Sequence, residues 1–492
     1  AFKWSCDGSP SFTLENTERE EVGTDVILYL LDEEKEFIEP ARIKSLIKKY
    51  CDFMPIDVLL EGECVNKKNP PWRKNPSELK DEDYIELYKY LYPYQGEPLL
   101  WIHLNTDFPY NIQGILYFPK LSGRADWEKG EIKLYCNQVF VSDSIKEIVP
   151  RYLLPLRGVI DSTDIPLNVS RSALQTDRKV RSISSFISKK IANKLKDLLK
   201  NNPEFYAEIW DSISAFVKIG VMEDEKFSEL AQNSIIFETK LGLDSVNEKE
   251  IENKFLINFN DKFYTTLENY ANRNKSSDDN KILYCTDEIS QSNALNLWLS
   301  NNREVIKADP LIDAQFIPWL ESQNEKYKFQ RVDSEINDDL EKDSPEIVDK
   351  DGKSNTDNIK EIITNALNNE KVTVKVQSLK NNNAPPALIL LPEQMRRIND
   401  MGAYMEQKIP GLPEYHVLLV NKEHPLINGL NKFSDKKIIL NEKDSDESSL
   451  TGRIVNHIYA MAKLTVGGLD QKQIVDLQLN NAELLTELLN SN

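Results

Sequence analysis

Glycine, histidine and cysteine are all scarce in this chain, and each scarcity removes a class of chemistry. Only 17 of 492 residues are glycine, and the chain has neither a GxxxxGKS/T loop nor a GxGxxG turn after a strand-like run. It therefore carries no common phosphate-cradling loop of its own. The four histidines show no metal-ligand spacing, so no metal site is expected. The five cysteines (Cys6, Cys51, Cys64, Cys136, Cys285) are odd in number, scattered and without a CxxC pair. That leaves buried free thiols in a reducing cytosol as the expected state.

Long apolar runs are missing too. No stretch approaches the ~18–20 apolar residues that span a bilayer. The start, Ala1-Phe2-Lys3-Trp4, has neither the apolar core nor the cleavage pattern of a signal peptide. No membrane partner and a cytoplasmic location are expected. The first residue is not Met, so a fragment or a processed product is expected. Positive charge is outnumbered, with 61 Lys and Arg against 80 Asp and Glu and a net charge of −19. Such a surface repels phosphate backbones and argues against a nucleic-acid partner. It also favours solubility, which suits a protein that exposes apolar surface.

What is present suffices for two to four domains with sizeable cores. Residues 1–32 read as strands, with Asp25–Leu30 a β-rich run after the Gly23 turn. Pro40 suits the first position of a helix carrying Ile43, Leu46, Ile47 and Tyr50 at helical spacing. Strand-like runs follow at 99–104, 112–118 and 131–141, and a long helix covers 178–200 with Ile183, Phe186, Ile187, Ile191, Leu195 and Leu198 on one stripe. A second α/β unit, 203–332, holds the short apolar strand Ile282–Cys285. The stretch from Asp333 to about 357 is polar and acidic and reads as a solvated linker. A third unit, 358–492, begins with a helix, alternates strictly over Lys371–Val376 and closes with two helices, the first stopped by Gly467-Gly468 and the second capped by Asp470 and Gln473. The expected fold class is α/β in the multidomain α+β sense: a layered α/β middle part in two subdomains, then a mixed α/β unit ending in two helices.

The most informative segment is Leu167-Asn168-Val169-Ser170-Arg171-Ser172-Ala173-Leu174-Gln175. It sets a permanent cation and an amide at the boundary of an amphipathic helix. A guanidinium fork matches phosphate oxygens, although an exposed Arg at a helix start is the plain alternative. On the last two helices, Leu450, Ile454, Ile458 and Met461, then Ile474, Leu477, Leu484, Leu485 and Leu488, make an apolar surface too wide for one core-facing stripe. Either both helices fold back on their own unit or they pair with a second copy. Met395, Ile398, Met401 and Met405 follow Pro392 at near-helical spacing. Such flexible, polarizable side chains suit either a core or a promiscuous surface.

LNVSRSALQ resembles the LNxSRExLQ signature of the middle domain of the heat-shock protein 90 chaperones, and segments around it agree in order. Asn69–Ser77 resembles xPLWxRNPS, Leu116–Pro119 resembles LFxP, Ile132–Tyr135 with Val139–Val141 resembles IKLYxxxVFI, and Gly158–Ser162 resembles GVVDS. Tyr284-Cys285-Thr286 and Ala384–Ala387 continue the likeness, which runs nearly end to end and points to the bacterial, HtpG-type branch.

The resemblance implies an ATP-dependent molecular chaperone that binds unfolded or partly folded client proteins as a homodimer. ATP with Mg²⁺ would sit in an N-terminal domain of which residues 1–32 would be only the last strands, with Thr24 at the pocket edge. Arg171 would reach the γ-phosphate, with Gln175 and Asn168 shaping its loop. Ser172 stands where many relatives have Glu, which leaves Arg171 less tied down. The chain alone is expected to hydrolyse no ATP. Trp72 is either a client contact or a packed loop anchor, and Met395, Ile398, Met401 and Met405 would be client-facing. The nine apolar positions of the terminal helices would form the dimer contact. The chain ends Leu488-Leu489-Asn490-Ser491-Asn492, without the acidic tail of eukaryotic cytosolic relatives. The alternative is a non-catalytic homodimeric holdase or scaffold with no nucleotide dependence.

Overall fold

A computed structural model describes residues 1–120, 131–143, 149–165, 178–242, 256–274, 281–324, 326–334, 340, 354–380, 384–392, 415–430 and 450–490.

The first strands, Phe2–Ser5 (β1) and Thr13–Asn16 (β2), form an antiparallel hairpin that is exposed throughout. The β-rich run Asp25–Leu30 is not a strand, and Val26, Ile27, Leu28 and Tyr29 are all exposed. A strand needs a neighbour for its backbone groups, and no strand among the described residues pairs with it. The expected helix forms as Pro40–Tyr50 (α1), with proline at its first turn. A two-residue hairpin, Leu59–Leu60 (β3) and Glu63–Cys64 (β4), turns on Glu61 and Gly62, both at positive φ. Helix α2, Asp81–Leu91, has three acidic residues in its first turn and turns Tyr84, Leu87 and Tyr88 inward.

A five-stranded sheet is the first large element. Its strands are Leu100–Thr106 (β5), Ile112–Phe118 (β6), Ile132–Cys136 (β7), Val139–Ser142 (β8) and Arg157–Ser162 (β9), in the order β5-β6-β9-β7-β8. Only β7 and β9 run parallel. Both faces are covered, so neighbouring residues enter different cores. Leu116, Phe118, Leu134 and Ile160 join the helical side, while Ile115, Tyr117, Tyr135 and Val159 join an aromatic cluster with Phe53, Trp72, Tyr84 and Tyr88. Gly114 and Gly158 sit where β6 and β9 approach most closely. A Cβ on Gly114 would lie 2.3 Å from the carbonyl oxygen of Val159, and one on Gly158 would lie 2.0 Å from that of Ile115. No side chain fits at either position.

Helix α3, Arg178–Asn201, buries Val180, Ile183, Ile187, Ile191 and Leu195 completely, the stripe that the spacing predicts. Asn202 then caps α4 (Pro203–Glu223) and Asp224 caps α5 (Glu225–Ala231). Buried residues of all three helices share one core with the sheet, and that core is continuous across 202–203.

It also runs into a second, six-stranded sheet of Ile236–Lys240 (β10), Ile257–Phe259 (β11), Lys262–Thr266 (β12), Lys281–Cys285 (β13), Val305–Lys307 (β14) and Lys328–Arg331 (β15), in the order β11-β12-β10-β14-β13-β15. Helices α6 (Leu267–Arg273), α7 (Ser292–Ser300) and α8 (Asp313–Gln323) lie between its strands in sequence.

The described residues that follow β15 are packed rather than solvated. Asp333 and Ser334 are buried, Asp333 receives both Nε (2.6 Å) and Nη2 (2.9 Å) of Arg331, and its carbonyl accepts the N–H of Leu391. Leu340 is also buried, in a core shared by Trp298 and Val332 on one side and Leu379, Leu388 and Leu419 on the other. Low apolar content did not prevent burial, because paired charges and backbone hydrogen bonds satisfy the polar groups.

The last unit starts at helix α9, Asn355–Leu367, with a capping box between Ser354 and Asp357. Its sheet is Val372–Gln377 (β16), Ala387–Leu390 (β17) and His416–Asn421 (β18), in the order β16-β18-β17. The alternating strand β16 is at the edge, as its pattern implies, with Val372 and Val374 buried and Thr373 and Lys375 exposed. Helices α10 (Leu450–Thr465) and α11 (Gln471–Asn490) close the chain. Gly467 takes positive φ between them, and Asp470 and Gln473 form the expected reciprocal cap.

Candidate functional site

Asn168, Arg171 and Gln175 lie outside the described residues, and the structure describes what brackets them. Strand β9 ends at Ser162, whose hydroxyl donates to the carbonyl of Asn111 (2.7 Å), while Asp164 accepts the N–H of Asn111 (2.7 Å). Ile165 is then buried, and beyond the segment Val180 and Ile183 anchor α3 in the same core.

One residue of this frame had no role on sequence alone. Asp161, from the GVVDS-like segment, is buried and accepts from the indole N–H of Trp72 (3.4 Å) and the backbone N–H of Gln138 (3.3 Å). The guanidinium of Arg73 stands 3.9 Å away. Asp161 therefore ties the Trp72–Arg73 turn to the strand that leads toward Arg171. The signal available in sequence was an acid inside an otherwise apolar strand.

Trp72 itself is a correction to the client-contact reading. It is 0 % exposed, with Phe53 against it at 4.6 Å between ring centres and Tyr135 at 5.6 Å. Such an indole offers no surface and is a loop anchor. Met395, Ile398, Met401 and Met405 lie outside the described residues. Thr24 is exposed, and a Cβ on the preceding Gly23 would meet only Arg19. No nucleotide pocket is built around Thr24 by the described residues.

The terminal helices divide the nine apolar positions. Ile458 is buried in the unit's own core, Ile454 packs against that core, and Leu477 is buried. These three are committed within the chain, so they move out of the candidate pairing face. Met461, Ile474 and Leu485 are exposed, as are Leu464, Val475, Leu479 and Leu489, which extend the same apolar surface. Leu484 is half-buried, and the side chains of Leu450 and Leu488 lie outside the described residues. One helix face cannot serve core and partner together, and tertiary packing decides which residues go where.

Among the described residues no group of acids, histidines and cysteines has metal-binding geometry, and no helix is long and apolar enough to cross a membrane. None of the five cysteines forms a disulfide, but only Cys285 is buried, where burial pushes its thiol up to about 12. The expectation of buried thiols therefore holds for that residue and not for the exposed Cys6 and Cys64 or the half-buried Cys51 and Cys136.

Two mixed sheets layered with helices, followed by a smaller α/β unit with an exposed apolar helix pair, define a multidomain α/β protein. The family model described as Hsp90 protein matches residues 56–485, and the chain belongs to that family. Among its relatives, the chaperone protein HtpG of Porphyromonas gingivalis is 37 % identical over 477 residues, covering 92 % of this chain and 65 % of the relative. Chaperone protein HtpG of Bacteroides thetaiotaomicron is 37 % identical over 87 % of this chain and 63 % of its own length. That of Bacteroides fragilis is 38 % identical over 89 % of this chain and 65 % of its own length. The chain thus spans just under two thirds of the relatives it matches.

Proposed function

We propose that this chain works in a molecular chaperone that binds unfolded or partly folded client proteins as a homodimer in a bacterial cytoplasm. The observation that carries this reading is one family match running from residue 56 to residue 485, through both large sheets and into the last helix, among relatives named as chaperones. The exposed apolar band of α10 and α11 supports pairing of two copies. Its residues lie on the outside of a core already closed from within.

The finer proposal concerns ATP with Mg²⁺, held by a domain other than the units described above. Arg171 is the permanent cation this chain brings to a phosphate there, with Gln175 and Asn168 positioning its loop. A cation delivered from a separate unit couples hydrolysis to closure.

The test has two arms. The chain should suppress aggregation of a heat-unfolded test protein, and failure to do so would overturn the chaperone reading. An isolated N-terminal ATPase domain of a relative, added in trans, should be stimulated by this chain, and Arg171→Ala should cost about 10²–10³ of the stimulated rate. Equal stimulation by both forms would remove Arg171 from the proposal, and none by either would favour the non-catalytic holdase.

A further inference from the structure

A cavity of about 390 Å³ opens between α1, α2 and strands β7 and β8, within the ~300–1,000 Å³ usual for ligand sites. Its wall is aromatic. Phe53 and Tyr135 meet edge to face at 5.7 Å, and Tyr135 and Phe140 do so at 5.8 Å. Asp52 also lines it and is 5 % exposed. One carboxylate oxygen, Oδ2, accepts the phenol of Tyr90 at 2.7 Å. The other, Oδ1, is shut off from water and has no hydrogen-bond partner among the described residues.

A buried carboxylate oxygen left without a donor is costly. The nearby cations do not relieve it. Lys133 lies 3.6 Å from Glu131, the ammonium of Lys67 stands 3.7 Å over the ring of Tyr90, and Lys48 and Lys49 are exposed at the rim. Burial, the largest effect, pushes its pKa up, against the Tyr90 phenol, the charges of Lys48 and Lys67 and the backbone N–H of Lys67, which all favour the ionised carboxyl. Asp143 adds a second acid at the mouth. Aromatic faces attract a cation, and the charge of a buried carboxylate in the cavity wall acts on that cation through a medium that screens it weakly.

We propose that this cavity is a binding site for an organic cation, a guanidinium or alkylammonium group, with Asp52 as its anion and Phe53, Tyr135 and Phe140 as its aromatic wall. The group arrives either on a free small molecule or on a basic side chain of a peptide. The site depends neither on ATP nor on pairing of two copies, so its failure leaves the chaperone reading untouched.

Calorimetric titration of the whole chain with N-acetyl-arginine amide tests this, with N-acetyl-norleucine amide as the uncharged control. Saturable one-to-one binding of the arginine probe alone is expected. Asp52→Asn should weaken it about tenfold or more, while melting at a higher temperature because a buried charge lacking a donor is gone. The absence of saturable binding, equal binding of both probes, or undiminished binding by a folded Asp52→Asn protein would overturn the site. Should that variant fail to fold, Phe140→Leu at the half-buried rim answers instead: severalfold weaker binding supports the site, and unchanged binding overturns it. Among supporting outcomes, a short arginine peptide that binds tighter than the amide assigns the site to peptide side chains, and equal affinity assigns it to free cations.

Discussion

The ammonium of Lys218 in α4 lies 2.7 Å from the carboxylate of Asp313 in α8, and both side chains are buried. Phe237 and Phe316 flank the ammonium, and Asp313 also accepts the backbone N–H of Asp309 at 2.7 Å. This pair links the helical layer behind the first sheet to a helix of the second. Lys218→Met should lower the unfolding free energy by about 3–5 kcal/mol, because it strands a buried carboxylate. The double change with Asp313→Leu should recover most of that. Urea unfolding of the three variants reads the difference, and a single variant as stable as its parent would refute the argument.

Trp72 should behave as a structural residue. Its indole fills the aromatic cluster and donates to Asp161, so Trp72→Ala should cost about 3–5 kcal/mol. Aggregation suppression per folded molecule, measured well below the lowered melting temperature, should not change. Normal stability with selective loss of client binding would restore the surface reading.

Residues of the terminal helices should split into two classes. Leu479 is 59 % exposed on α11, whereas Ile458 on α10 lies in the unit's core. Leu479→Glu should leave the fold intact and weaken self-association by about 100-fold or more, as a charge does at the centre of an apolar contact. Ile458→Glu should destabilise the C-terminal unit itself. Light scattering and far-ultraviolet dichroism separate the two outcomes, and a Leu479→Glu protein that pairs like its parent would exclude that face.

Acid should weaken the fold through two histidines. His103 and His457 are both held below the ordinary histidine value, mainly by burial. The native state therefore favours the neutral ring, while the unfolded chain takes up a proton near 6.5. Stability is complete above that pH and is lost as pH falls toward the depressed native values. His457→Asn should flatten the fall in unfolding free energy as pH drops below 6.5, and an unchanged slope would remove His457 from the account.

Much of this was readable from local pattern. The stripe of α3 follows from apolar spacing, and the cap of α11 follows from Asp470 with Gln473. Local energetics alone favour those features. The reading failed where a distant partner decides. Asp25–Leu30 has strand composition but no neighbour among the described strands, and Asp333 has linker composition, yet its carbonyl accepts the N–H of Leu391 far along the chain. Trp72 stood between two readings because indoles anchor both cores and contacts, and only the position of Asp161, 89 residues away in sequence, separates them.

By itself the sequence determined the family, the order of the units, the helical periodicities and the presence of a lone guanidinium in the LNVSRSALQ segment, because those depend on residue types and short spacings. Tertiary structure alone decided which half of the apolar surface on α10 and α11 is spent inward, that Trp72 is sealed, and that Asp52 faces an aromatic cavity with one oxygen unmet. Burial and hydrogen-bond completion are sums over residues far apart in the chain, and no local stretch contains them.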